Sequence, residues 1–257
     1  MQKIPEISKF LKYDARTERT FIPTVEEYLI EKYNILLPHE FVQGKTVLDL
    51  GSHIGTCGEW VLSQGAKFYI GVETQSKFYK LSKELLKKWN NQTIINQNIK
   101  HFLKHSDDYR YDIIILFGVL YAFSDCTEML RKIFNIGNFV LIESATPPSI
   151  YTKEIPEKCI IEYSSEHRCN TNVSDKGNYQ YQGFSGVPSQ SFVDMVANIS
   201  GFTKISSPIK GTDINSKLIY NKEITARWVS KYRKMHNEKM TLEDQILNKT
   251  DTETKIF

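Results

Sequence analysis

From Val47 to Gly58 the chain reads Val-Leu-Asp-Leu-Gly-Ser-His-Ile-Gly-Thr-Cys-Gly, an apolar run that ends at an acid and breaks into spaced glycines. Glycine at such a turn permits positive φ and lets a ligand approach the backbone where a Cβ would collide. A strand that passes Asp49, turns through Gly51 and Gly55 and enters a helix sets the helix's first N–H groups at the strand's C-terminal edge. An anionic group can be met there. The spacing Gly51-x-x-x-Gly55-x-x-Gly58 departs from the G-x-G-x-x-G of dinucleotide sites, and an acid at Asp49 suits an ammonium better than a pyrophosphate. Glu73 ends the next apolar run, about twenty residues on, where a carboxylate can accept hydrogen bonds from ribose hydroxyls.

The elements that must position these residues follow from apolar patterning. Strands are expected at 46–50, 68–72, 93–96, 112–117 and 139–142, and helices at 55–64, 77–89 and 126–134. Strands alternating with helices need crossover connections, hence a parallel sheet covered on both faces. The fold class is therefore α/β, a doubly wound and mostly parallel sheet of the seven-stranded type. A helix at 25–33, with Thr24 as N-cap and Val25, Tyr28, Leu29 and Lys32 on one face, packs on the domain or covers its cleft. Residues 146–185 lack periodicity and read as a long functional insertion after the fifth strand, rich in aromatics. A helix follows to about Ser200, stopped by Gly201, then strands at 202–206 and 217–220. Last comes a helix with Ile224, Trp228, Tyr232 and Met235 on one face and Arg227, Lys231, Arg233 and Lys234 as a basic run. The division is thus a helical cap segment (1–40), a central domain (41–222) whose lid is 146–185, and a C-terminal helix and tail (223–257).

Composition narrows the classes. Net charge is +3, from 33 basic and 30 acidic residues, too near balance to argue for a nucleic-acid partner by bulk electrostatics. Cys57, Cys126, Cys159 and Cys169 form no C-x-x-C pair, which fits reduced thiols in a cytoplasmic protein, and no spacing marks a metal site. No run is long and apolar enough for a membrane span, and neither an N-terminal signal segment nor internal repeats are seen.

With Asp49-x-Gly51-x-His53-x-Gly55 and Glu73 in view, the chain resembles the class I S-adenosylmethionine (SAM)-dependent methyltransferases. His53 stands where the family often has its middle glycine. Gln97 and Asn98 occupy the position near adenine. The run Asp112-Ile-Ile-Ile-Leu-Phe-Gly-Val-Leu-Tyr121 is similar to the family's fourth strand and turn, with Ala122 where a histidine is usual. That stretch, together with Gly186-Val-Pro-Ser189 and Ser200-Gly-Phe202, is faintly similar to enzymes that modify the wobble uridine of tRNA. The resemblance implies SAM as cofactor, held by Asp49, Gly51, Ser52, His53, Gly55, Glu73, Thr74, Asn98 and Phe117.

Methyl transfer from a sulfonium is an in-line displacement in which positioning supplies much of the acceleration, and an alcohol acceptor also gains from a general base. Glu143 at the end of the fifth strand, His167 in the insertion beside Glu166 and Arg168, and Tyr121 after the fourth strand are the catalytic candidates, with His53 a further one in the loop. Glu143 could equally orient substrate or bind a metal, and Arg168 could grip an anionic substrate or simply be solvated. The expected reaction is O-methylation of a hydroxyl-bearing small molecule, such as a sugar or a sugar-containing metabolite, by a monomer or homodimer. The alternatives are an RNA (tRNA) methyltransferase, which the basic C-terminal run would serve, and a SAM-binding relative without turnover. A nicotinamide-dependent oxidoreductase is disfavoured by the glycine spacing and Asp49.

Overall fold

The computed structural model describes residue 11 and residues 22–120, 123, 125–145, 159–164, 183–209 and 227–235. Among them lie α1 (Ile22–Leu36), α2 (His39–Val42), β1 (Thr46–Leu50), α3 (Thr56–Ser63), β2 (Phe68–Glu73), α4 (Ser76–Leu86), β3 (Gln92–Asn96), α5 (Ile99–Lys104), β4 (Tyr111–Phe117), α6 (Cys126–Ile136) and β5 (Gly137–Ala145). There follow β6 (Cys159–Ser164), β7 (Gly183–Pro188), α7 (Gln190–Ile199), β8 (Phe202–Ile209) and β9 (Arg227–Lys234).

Seven strands make one sheet in the order β3-β2-β1-β4-β5-β9-β8. The first five are mutually parallel, and β9 runs antiparallel between β5 and β8. The strand order reverses between β1 and β4, so a crevice opens beyond their C-terminal ends. Both sheet faces are apolar and both are covered, as parallel strands require. One core joins α1 to α4 with Val47, Tyr69, Ile113, Ile115 and Leu141. The other joins α5, α6 and α7 with Leu48, Leu50, Val72, Ile114 and Ile142. No helix among the described residues is long and apolar enough to cross a membrane.

Four expectations change. The chain from Arg227 to Lys234 is a strand, not a helix, and it extends the sheet to Lys234. Trp228 and Tyr232 lie four apart, which satisfies either a helical face or one face of a strand. Val229 packs in the core beneath α1 while Trp228 and Tyr232 pack in the opposite core, which settles the period as two, and Met235 stands half exposed. Within 146–185, expected to be irregular, β6 and part of β7 pair as a two-stranded antiparallel sheet. Helix α1 starts at Ile22, so Thr24 lies inside it rather than capping it. Helix α5 was not foreseen. It is six residues long, too short for a periodic signal, and is started by Asn98, whose side chain accepts the Lys100 N–H at 2.9 Å. The strand expected at 217–220 lies outside the described residues.

Candidate functional site

The loop after β1 is built on left-handed backbone. Gly51, His53 and Gly55 have φ of 86°, 51° and 85°. A Cβ on Gly51 would lie 2.6 Å from Val119 Cγ2, so the loop also passes closely under the segment that follows β4. His53 is the one described non-glycine residue with positive φ, a cost that its position repays. Its N–H donates to Glu73 Oε2 at 2.8 Å, and its ring lies against Phe78, tilted by 50°, with centroids 4.0 Å apart. Gly55 caps α3, whose first N–H groups have no partner within the helix.

Glu73 is nearly buried at the end of β2. Its second oxygen accepts the Gln75 N–H at 2.7 Å, so backbone amides hold both carboxylate oxygens in place. Burial pushes its carboxyl up to about 7, against the pull of those amide hydrogen bonds. The neighbouring strand ends are laced together. Asn96 Nδ2 donates to the Glu73 and Thr74 carbonyls, and Thr74 Oγ1 donates to the Gln97 carbonyl.

Asp49 is 3% exposed and points to the face that α1 and α3 cover. Tyr69 OH donates to its Oδ2 at 2.9 Å, and the Cys57 thiol is a second hydrogen-bonding neighbour. Burial pushes this carboxyl up to about 6, although Tyr69, the nearby Lys32 ammonium and Cys57 all act in the opposite direction. The same burial, and the negative field of Asp49, raise the Cys57 thiol.

Helix α1 does more than cover. Tyr33 OH lies 3.0 Å from Thr56 Oγ1 at the start of α3, and Trp60 Nε1 donates to the Leu37 carbonyl. One residue earlier in the chain, Lys32 is buried, ion-paired with Glu143 at the end of β5, and seated over the Phe117 ring at 4.1 Å from its centre. Phe117 and Glu143 are register partners on β4 and β5, so one ammonium bridges both strand ends and the N-terminal helix.

The structure therefore gathers Asp49, Gly51, Ser52, His53, Gly55, Glu73, Thr74, Asn98, Phe117 and Glu143 at the C-terminal edge of the sheet, in unequal roles. Asn98 caps α5, and Thr74 ties two strand ends. Ser52 Oγ is buried under the loop without a hydrogen-bond partner. Tyr121, His167, Glu166 and Arg168 lie outside the described residues. Lys32, Tyr69 and Cys57 were missed as parts of the site. A lysine on the apolar face of α1 was the visible signal for the first. For Tyr69 the signal was a tyrosine inside a buried strand, which must satisfy its hydroxyl. No group of three or more possible metal ligands occurs among the described residues.

No family model matches the sequence. A curated relative, the tRNA U34 carboxymethyltransferase of Sulfurovum sp. (strain NBC37-1), is 31% identical over 121 residues, which is 44% of this chain and 38% of that relative's length. Among solved structures, the magnesium protoporphyrin IX methyltransferase (ChlM) from Synechocystis PCC 6803 with bound SAH aligns with a TM-score of 0.58 at 11% identity, over 89% of this chain and 95% of that one. The N-terminal domain of EvdMO1, solved in the presence of SAH and D-fucose, aligns with a TM-score of 0.55 at 10% identity, over 82% and 83%. With this strand order, its antiparallel β9 and these likenesses, the chain has the Rossmann-like fold of the class I SAM-dependent methyltransferases.

Proposed function

We propose that this chain binds SAM and transfers its methyl group to a hydroxyl of a small molecule, such as a sugar or a sugar-containing metabolite. The observation that carries the cofactor is the loop itself. Left-handed backbone at Gly51 and Gly55 turns the chain at the C-terminal end of β1 into α3, and Glu73 is held one strand over by two amides. These residues fit the group. The N–H groups at the start of α3 can meet its carboxylate, Asp49 places a negative charge beneath its ammonium, and the remaining lone pairs of Glu73 can accept its ribose hydroxyls.

Bound SAM supplies an electrophilic methyl group on a sulfonium. The chain's part is to hold the acceptor oxygen in line and to keep water out. As the new O–C bond forms and the S–C bond breaks, the hydroxyl proton must leave, and Tyr121 and His167 are the proposed acceptors. Glu143 already holds Lys32, so its proposed role is to fix that ammonium and Phe117 beside the crevice. The insertion after β5 contributes the β6–β7 pair, with β7 against β5, and its proposed role is to cover the acceptor. The basic run is no surface helix, and its Lys231 is buried over Phe41.

The second reading, a tRNA methyltransferase, takes its acceptor from the curated relative's name, which gives tRNA U34 as the target but a carboxymethyl group as the one transferred. Titration calorimetry with S-adenosylhomocysteine (SAH) tests the cofactor. The wild type is expected to bind. Gly51→Ala is expected to bind at least about ten-fold more weakly, because left-handed backbone costs an alanine roughly 1–2 kcal/mol and the added Cβ meets Val119. Absence of wild-type binding would sink the proposal. Labelled SAM offered with a carbohydrate pool and with bulk tRNA separates the acceptors, and binding without turnover on either would point to a non-catalytic relative.

A further inference from the structure

We infer that Tyr69 is the positioning residue that holds the Asp49 carboxylate, and that residue 58 is glycine in order to admit the Tyr69 ring beneath the loop. The three spaced glycines then have two different explanations. Gly51 and Gly55 answer to backbone conformation, both having positive φ. Gly58 sits inside α3, where a Cβ would lie 2.6 Å from both Cε1 and Cζ of Tyr69 and 2.9 Å from Leu86 Cδ1. The atom that bears the hydroxyl is thus one of the two that need the space. Tyr69 is wholly buried as the second residue of β2, where a phenylalanine would serve packing equally well. The hydroxyl has a stated partner instead, Asp49 Oδ2 at 2.9 Å.

Register explains why these two meet. Asp49 pairs with Gly71, two residues beyond Tyr69 on β2, so both side chains leave the sheet on the same face. A carboxylate buried this deeply stays charged only if donors face it. Tyr69 supplies one from β2 and Cys57 another from α3, while Lys32 supplies positive field from α1. Tyr33 on α1 faces Tyr69, Glu73 adds negative field from the end of β2, and Glu143 on β5 offsets Lys32. Of these groups only Tyr69 reaches Asp49 with a neutral hydroxyl that stays protonated at working pH. It biases Asp49 toward its charged form without adding charge. The inference rests on the reading that Asp49's charge serves the ammonium of the bound cofactor.

Calorimetric titration with SAH between pH 5 and 8 decides it, on wild type, Tyr69→Phe, Asp49→Asn and the double variant. Loss of the hydroxyl should move the acid-side fall in affinity upward by about one pH unit, the size expected for a hydrogen bond to a charged group. At pH 6 that is roughly five-fold weaker binding. The shift should vanish in the Asp49→Asn background, and Gly58→Ala should reproduce it. Superimposable wild-type and Tyr69→Phe profiles would overturn the inference, as would a shift that persists without Asp49. Thermal melts check folding, and if Gly58→Ala does not fold, the Tyr69→Phe and Asp49→Asn cycle still decides. A wild type that binds no SAH overturns the cofactor reading and this inference with it, whereas binding with superimposed profiles overturns the inference alone.

Discussion

Strands β1 to β4 and strands β8 and β9 share one sheet but are assembled in different ways. In the first group each strand is followed in the chain by a helix that covers its own neighbourhood, so the strand-helix units announce themselves locally, the six-residue α5 excepted. Strand β9 instead enters between β5 and β8 and runs against both, with aromatics on one face and Val229 and Lys231 on the other. The proposed site divides along the same line. The parallel half supplies the loop, Asp49 and Glu73, while β9 contributes packing. Tyr232 lies edge-on to Phe134 and donates to Asp194 on α7, and Lys231 reaches the Ile35 carbonyl on α1. A parallel strand end opens onto a crevice, whereas an antiparallel strand in the sheet interior closes a core.

The largest test of this contrast is Tyr232→Ala. A fully buried ring on an interior strand should cost about 3–5 kcal/mol on truncation, read by denaturant unfolding. A loss below about 1 kcal/mol, as for a surface substitution, would mean that the segment is not an interior strand.

The next test is the pH dependence of the parallel half. Asp49 and Glu73 are raised to about 6 and about 7, so the folded chain holds more protons than the unfolded chain between about pH 4 and 7. Stability of the ligand-free protein should fall as pH rises through that window, by on the order of 1 kcal/mol per unit at its steepest. Asp49→Asn with Glu73→Gln should flatten the slope in thermal melts, and an unchanged slope would remove both carboxyls from the explanation.

The smallest effect is expected from Arg233→Ser with Lys234→Ser. These side chains are only partly buried, and the change should alter RNA affinity by less than about two-fold at physiological salt, well short of the salt-dependent loss that a phosphate-binding cluster would show. A steep loss in a filter-binding titration would restore the basic run as an RNA contact.

How much of this was legible depended on the range of the signal. The β1 loop, Glu73 and the end of β4 were readable because glycine spacing and strand period act within a few residues. The period of β9 was not. Trp228 and Tyr232 fit either periodicity, and the deciding fact, the packing of Val229 on the opposite sheet face, exists only once β5 and β8 are alongside. Asn98 shows the same limit, since its capping of α5 could not be read from a six-residue helix too short to show a period.

The sequence by itself determined the doubly wound sheet and the turn on which the cofactor reading stands, because glycine conformations and apolar periods are properties of short segments. Tertiary structure alone decided that Lys32 locks Glu143, that Tyr69 faces Asp49 and that β9 completes the sheet. Lys32 and Glu143 stand 111 residues apart, and Tyr69 and Asp49 stand 20 apart on neighbouring strands. What joins such groups is the cost of leaving a buried charge or hydroxyl unpaired, and that cost arises only when the packed core removes water from both partners.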